Sequence, residues 1–175
     1  MTIGVFCSAN KDIDPEFFRR AEQLGSWIGR NGHNLVFGGC DLGLMQCVAR
    51  AAHDAGALTI GVVPTIIERG GRVSEYVDVK VLCDNLSDRK DLMTAKSDVL
   101  VALPGGIGTL DEIFTVAASA SLGYTNKRVV LYNINSFWQP LIAMLDAMSA
   151  AGMLRSSTRE TICVASSIDE IVALL

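Results

Sequence analysis

Histidine is scarce in this chain, which has only His33 and His53, and the five cysteines, Cys7, Cys40, Cys47, Cys83 and Cys163, include no C-x-x-C pair. An odd cysteine count without close pairs, together with so few imidazoles, speaks against both a disulfide framework and a zinc site, so no metal is expected. Clustered basic residues are missing too. The formal net charge is -4, whereas a nucleic-acid surface needs Lys and Arg gathered on one face, so no nucleic-acid partner is expected. No apolar run approaches the roughly 18 residues of a membrane span, and Met1 to Cys7 is too short for a signal peptide. A cytoplasmic protein with no membrane partner is the expectation. The familiar nucleotide motifs are absent as well. There is no G-K-[ST] for a Walker loop, and Asp111 stands where a dinucleotide fingerprint requires Gly or Ala.

Apolar content is abundant. Half of the residues are hydrophobic and 19% are charged, which argues against disorder, and 175 residues fit one domain. A chain of this length buries about 70% of its unfolded surface and needs no staples to fold. Strand-like runs occur at Ile3 to Cys7, Leu35 to Phe37, Leu58 to Val63, Val77 to Leu82, Val99 to Leu103, Val129 to Tyr132 and Thr161 to Val164. Helical stretches alternate with them at Pro15 to Arg30, Gly43 to Ala55, Ser87 to Lys96, Thr109 to Leu122, Ser136 to Ala150 and Ile168 to Leu174. Near-continuous Val, Ile and Leu strands with crossover helices predict a mostly parallel sheet of about seven strands covered on both faces. The fold expected over residues 1–175 is therefore a single doubly wound, Rossmann-like α/β domain. The Pro64 to Tyr76 segment reads either as a mobile flap or as an ordinary long crossover.

In such sheets ligands bind beyond the carboxyl ends of the strands. Three loops with unusual chemistry leave strand ends: Cys7-Ser8-Ala9-Asn10, Gly38-Gly39-Cys40-Asp41-Leu42-Gly43, and the turn from Pro104 to Thr109. The third is the most informative. Its glycines let the main chain approach a phosphate, and the helix that follows supplies unpaired N–H donors with partial positive charge. Glu112 admits two readings. It stands about one turn into the helix beside a bound anion, or it reaches back to a Thr109 helix cap as a capping box. Arg89, within Asp88-Arg89-Lys90-Asp91, reads in isolation as part of a solvated, mixed-charge helix face.

The run Pro104-Gly105-Gly106-Ile107-Gly108-Thr109-Leu110-Asp111-Glu112 spells P-G-G-x-G-T-x-x-E, and with Arg89-Lys90 upstream it closely resembles the Lonely Guy (LOG) family of nucleoside 5'-monophosphate phosphoribohydrolases. The resemblance covers nearly the whole chain, through Val5-Phe6-Cys7, the Gly38-Gly39 to Gly43-Leu44-Met45 loop and Leu131-Tyr132-Asn133. It implies hydrolysis of the N-glycosidic bond of a purine nucleoside 5'-monophosphate, AMP or an N6-modified relative, to free base and ribose 5-phosphate. It also implies no cofactor and a homodimer. On the same resemblance Gly105, Gly106, Ile107, Gly108 and Thr109 hold the 5'-phosphate, and Arg89 and Glu112 form the catalytic pair. Ser8, Gly38, Gly39, Met45 and Lys90 would contact substrate.

A carboxylate beside C1' suits a reaction that builds positive charge on the ribose ring. Arg89 stays protonated near neutral pH, so it acts by charge and hydrogen bonding rather than as an acid. Sequences of this kind are often labelled lysine decarboxylases, yet no pyridoxal lysine context is found. The chain departs from the family at Cys40 and Gln46, where members usually carry Gly, and at Ser119 and Ser121, where they commonly carry Trp and Gln; these positions bear on base recognition. The alternative is a non-catalytic nucleotide or molybdenum-cofactor carrier of the same fold, which needs the phosphate cradle but neither Arg89 nor Glu112.

Overall fold

The apolar runs become strands β1 (Thr2–Phe6), β2 (Asn34–Phe37), β3 (Thr59–Pro64), β4 (Val79–Cys83), β5 (Val99–Ala102), β6 (Val129–Tyr132) and β7 (Ile162–Ala165). This is a computed structural model that describes residues 1–175, apart from the side chains of Ser156 and Ser157. The helices are α1 (Pro15–Arg30), α2 (Gly43–Asp54), α3 (Thr65–Arg69), α4 (Leu86–Lys96), α5 (Ile107–Ser121), α6 (Gln139–Ala150), α7 (Ser156–Thr161) and α8 (Ile168–Ala173). Every strand pair is parallel, in the order β4-β3-β2-β1-β5-β6-β7, which is the doubly wound arrangement that the alternating pattern predicts.

The period-two alternation of the strands splits the core in two. Ile3, Val5, Leu35, Phe37 and Val101 pack under α1, α2 and α8, while Phe6, Val36, Leu100, Ala102 and Leu131 pack under α4, α5 and α6. Each large side chain fully buried this way stabilises the fold by about 1.5–3 kcal/mol. Local signals place the helices. Asp14 caps α1 by accepting from the Glu16 N–H at 2.8 Å, with Pro15 in the first turn. On the buried side of α1, Gly25 lets the backbone settle onto α2, since a Cβ there would lie 2.9 Å from that of Ala51.

Three local features differ from expectation. Helix α6 begins at Gln139 rather than Ser136, because Asn135 and Ser136 have φ of 51° and 60° and the Trp138 N–H donates to Asn133 Oδ1 at 2.8 Å. The short helices α3 and α7 were not anticipated. The Pro64 to Tyr76 segment carries α3 and is tied to the second loop. Val73 makes an antiparallel bridge with Cys40, and the Ser74 N–H donates to the Gly39 carbonyl at 2.9 Å.

The winding reverses between β1 and its neighbour β5. Connections on the two sides of that seam run away from each other, which opens a crevice at the strand ends. There the Ser8 N–H donates to the Pro104 carbonyl at 3.2 Å, joining the first and third loops. Among the described residues, no helix is long and apolar enough to cross a membrane.

Candidate active site

Ser8 is the knot of this end of the sheet. Besides its bond to Pro104, its carbonyl accepts from the Leu44 N–H at 3.0 Å and its Oγ accepts from the Asn10 N–H at 3.0 Å. All three loops singled out in the sequence therefore meet at the switch point.

In the third loop, α5 starts at Ile107, with Gly106 in the N-cap position and no side-chain cap. Its first backbone bond runs from the Leu110 N–H to the Gly106 carbonyl at 3.0 Å, and the Ile107, Gly108 and Thr109 amides find no partner among the described residues. The capping-box reading is overturned. Thr109 lies inside the first turn, is only 3% exposed, and leans on Gly105, where a Cβ would sit 2.6 Å from its own. Gly106 and Gly108 contrast with Gly105: a Cβ at either would meet nothing within 4 Å. Ile107 is 82% exposed, so its side chain turns outward. The turn presents backbone donors over open space, the arrangement that an anion needs.

One turn on, Glu112 is buried at 8% exposure and accepts no hydrogen bond among the described residues. Burial pushes its carboxyl up to about 7 against the opposing pull of the Arg89 charge; nearby Asp111 adds to the rise and Lys90 reduces it. Arg89 reaches from α4 across to the second loop. Its guanidinium lies against Gly38, where a Cβ would come within 2.8 Å of Cζ, so only glycine leaves room. Its Nη2–H points at Met45 Sδ, 3.9 Å away, and its buried Nε–H has no partner among the described residues. No ion pair closes between Arg89 and Glu112 among the described residues, and each keeps unused hydrogen-bonding capacity.

Cys7, expected as plain strand core, borders the same charges. Its buried thiol is pushed well up, first by desolvation and next by Glu112, with Arg89 opposing. The only signal in the sequence was its position one residue before Ser8.

Arg89, Glu112, Gly38 and Met45 thus come together, with Ser8 and residues 105–109 along the adjoining rim. Two of the expected residues have other neighbours. Gly39 is buried against Val63 with φ of 71° and shapes its loop. Lys90 donates to both carboxylate oxygens of Asp111 at 2.8 Å. The departures from the family have neighbours of their own. Successive helical residues diverge by about 100°, so Gln46 turns away from Met45 and lines a separate groove of about 500 Å³ with Lys11, Arg19 and Arg50. Ser119 and Ser121 lie about 10 and 13 Å beyond Glu112 along α5, at 1.5 Å per residue. The Cys40 backbone bridges to Val73, and its thiol points at Asp41 Oδ1, 3.7 Å away.

A smaller cavity of about 200 Å³ opens on the α1 side of the glycine turn, lined by Ser8, Asn10, Phe17, Pro104, Gly105 and Phe137 among others. Arg89 and Glu112 stand on the α4 side.

Comparison with known proteins bears on this arrangement. A family described as possible lysine decarboxylase matches residues 45–175. The chain is 32% identical to the cytokinin riboside 5'-monophosphate phosphoribohydrolase of Rhodococcoides fascians, over 99% of this chain and 88% of that protein. It is 33% identical to the cytokinin riboside 5'-monophosphate phosphoribohydrolase LOG3 of Arabidopsis thaliana, over 99% of this chain and 80% of that one. Among solved structures it superimposes on the molybdenum cofactor carrier protein of Chlamydomonas reinhardtii with a TM-score of 0.72, at 29% identity, covering 99% of this chain and 94% of the carrier. With the P-G-G-x-G-T-x-x-E turn in place at the switch point, the chain belongs to the Lonely Guy family, the one described as possible lysine decarboxylase.

Proposed function

We propose that the protein is a phosphoribohydrolase that splits a purine nucleoside 5'-monophosphate, AMP or an N6-modified relative, into free base and ribose 5-phosphate. The observation that carries this reading is the buried, unbonded Glu112 within electrostatic reach of an incompletely satisfied Arg89, one turn into the helix that the open glycine turn begins. The free amides of residues 107–109 hold the 5'-phosphate. Charge-assisted bonds of about 1.5–3 kcal/mol each provide most of the affinity. The ribose then lies toward Glu112.

As the bond from C1' to the base nitrogen lengthens, its electron pair leaves with the base and positive charge grows on the ring. The Glu112 carboxylate stabilises that charge more than it stabilises the substrate. Water adds at C1', its proton is lost, and the base nitrogen is protonated. Arg89 positions substrate and carboxylate without giving up a proton. Glu112 must be ionised for this work, so activity rises with pH through about 7.

The protein acts in the cytoplasm as a homodimer. A second copy is accommodated by the apolar groove of about 320 Å³ whose lining includes Leu110, Phe114, Phe137, Trp138, Leu141 and Met144, and sedimentation velocity tests the assembly.

The carrier reading is favoured by the likeness to the Chlamydomonas reinhardtii carrier. A carrier has no use for a buried carboxylate beside an arginine. Incubating purified protein with a panel of nucleoside monophosphates, with chromatography for free base, separates the two. Release of base supports the hydrolase, and binding without release supports the carrier.

A further inference from the structure

Two pairs of neighbouring residues face each other across α4 and α5: Arg89 and Lys90 on one helix, Asp111 and Glu112 on the other. Because successive helical positions point about 100° apart, the pairs divide the seam between the helices. Arg89 and Glu112 turn in toward Cys7 and Gly38, while Lys90 and Asp111 close a two-pronged bridge at 2.8 Å. That bridge is the one side-chain hydrogen bond joining α4 to α5 among the described residues. Met93 and the partly buried Leu92 seat α4 on the sheet, and the bridge supplies its polar tie to α5.

We propose that Lys90 and Asp111 are a positioning pair, whose bridge sets α4 against α5 so that Arg89 faces Glu112 and keeps the Lys90 ammonium off the substrate phosphate. The proposal rests on the hydrolase reading of that site. The bridge is half exposed at Asp111 and largely covered at Lys90, so its contribution to global stability is modest, but a displacement of reacting groups by about 1 Å can cost about a hundredfold in rate. The bridge also sets the field at Glu112. The charged and titratable groups facing that carboxyl are Arg89 and Lys90 from α4, Asp111 from its own helix and Cys7 just past β1. Lys90 favours its ionised form and Asp111 opposes it.

Three variants test the pair: Lys90→Met, Asp111→Asn and the reversal K90D/D111K, each checked for native circular dichroism. Each single change should lower kcat on AMP about tenfold with KM altered less than about threefold, and the reversal should recover most of the loss. Independently of turnover, the Glu112 carboxyl is titrated by NMR in protein labelled with 13C-glutamate. Its midpoint should move up in both Lys90→Met and Asp111→Asn, because each releases Arg89 from the carboxyl. Loss of the Asp111 charge by itself lowers the midpoint, so a fall in Asp111→Asn shows Arg89 still in place and overturns the proposal, as do unchanged midpoints. A tenfold or larger rise in KM with kcat kept in Lys90→Met also overturns it, by making Lys90 a phosphate ligand. Should the parent protein release no base, the hydrolase reading fails, and the direction of the Asp111→Asn NMR shift still decides the pair.

Discussion

Two glycine loops meet at the end of this sheet, and they keep space for different things. At the β5–α5 turn, Gly106 and Gly108 border nothing, whereas in the β2–α2 loop Gly38 borders Arg89 and Gly39 borders Val63. One loop is open to a ligand, and the other is filled by the protein's own side chains. A glycine-rich loop at a strand end is therefore ambiguous by itself. What distinguishes the two is the space beside each missing Cβ, which depends on residues distant in sequence.

The sharpest way to break this contrast acts behind the open turn. Glu112→Gln should lower kcat by at least ~10² with nucleotide binding largely kept, and retained turnover in a folded variant would remove Glu112 from the reaction. The same substitution should stabilise the fold. Glu112 holds its proton up to about 7 when folded, against an ordinary value of 4.5, so the folded state binds the extra proton between those values and loses stability as pH rises through them. Removing the charge should restore up to about 3 kcal/mol at pH 8 and almost nothing at pH 4.5. Thermal melts at the two pH values check this, at about 2–4 °C per kcal/mol.

Next comes the filled loop. Gly38→Ala displaces the Arg89 guanidinium, the far end of a flexible side chain, and should cut kcat about tenfold or more with little change in Tm. Gly108→Ala is its counterpart in the open turn. Its new methyl enters open space within a helix, so it should raise stability by up to about 1 kcal/mol while weakening phosphate affinity, read as a KM increase of about tenfold. If Gly108→Ala binds nucleotide normally, the turn is not the cradle. The smallest effect belongs to the Arg72–Asp41 pair, 3.1 Å apart on the surface of the filled loop. Arg72→Ala should cost less than about 1 kcal/mol and leave kcat unchanged.

Much of this was legible without coordinates. All seven strands follow from apolar runs, and α1 follows from Asp14, Pro15 and its amphipathic spacing. The P-G-G-x-G-T-x-x-E run and Arg89-Lys90 marked the residues that the fold gathers. Legibility failed where long-range contacts win. The helix pattern after Tyr132 carries no mark of the positive φ at Asn135 and Ser136. The residues before Tyr76 do not announce the bridge from Val73 to Cys40. Thr109 and Glu112 have capping-box spacing, yet the helix starts two residues earlier, at Ile107.

The one-dimensional pattern was enough for the layered α/β architecture, since strand and helix periodicities are local and their alternation leaves few ways to bury both faces. It also supplied the chemical vocabulary of a nucleotide-handling turn. Only the tertiary structure decided that Arg89 lies on Gly38, that Lys90 is engaged by Asp111 and that Glu112 is withdrawn from water. Each of those depends on how closely separate helices approach, and in a packed interior that is settled by all the neighbours at once.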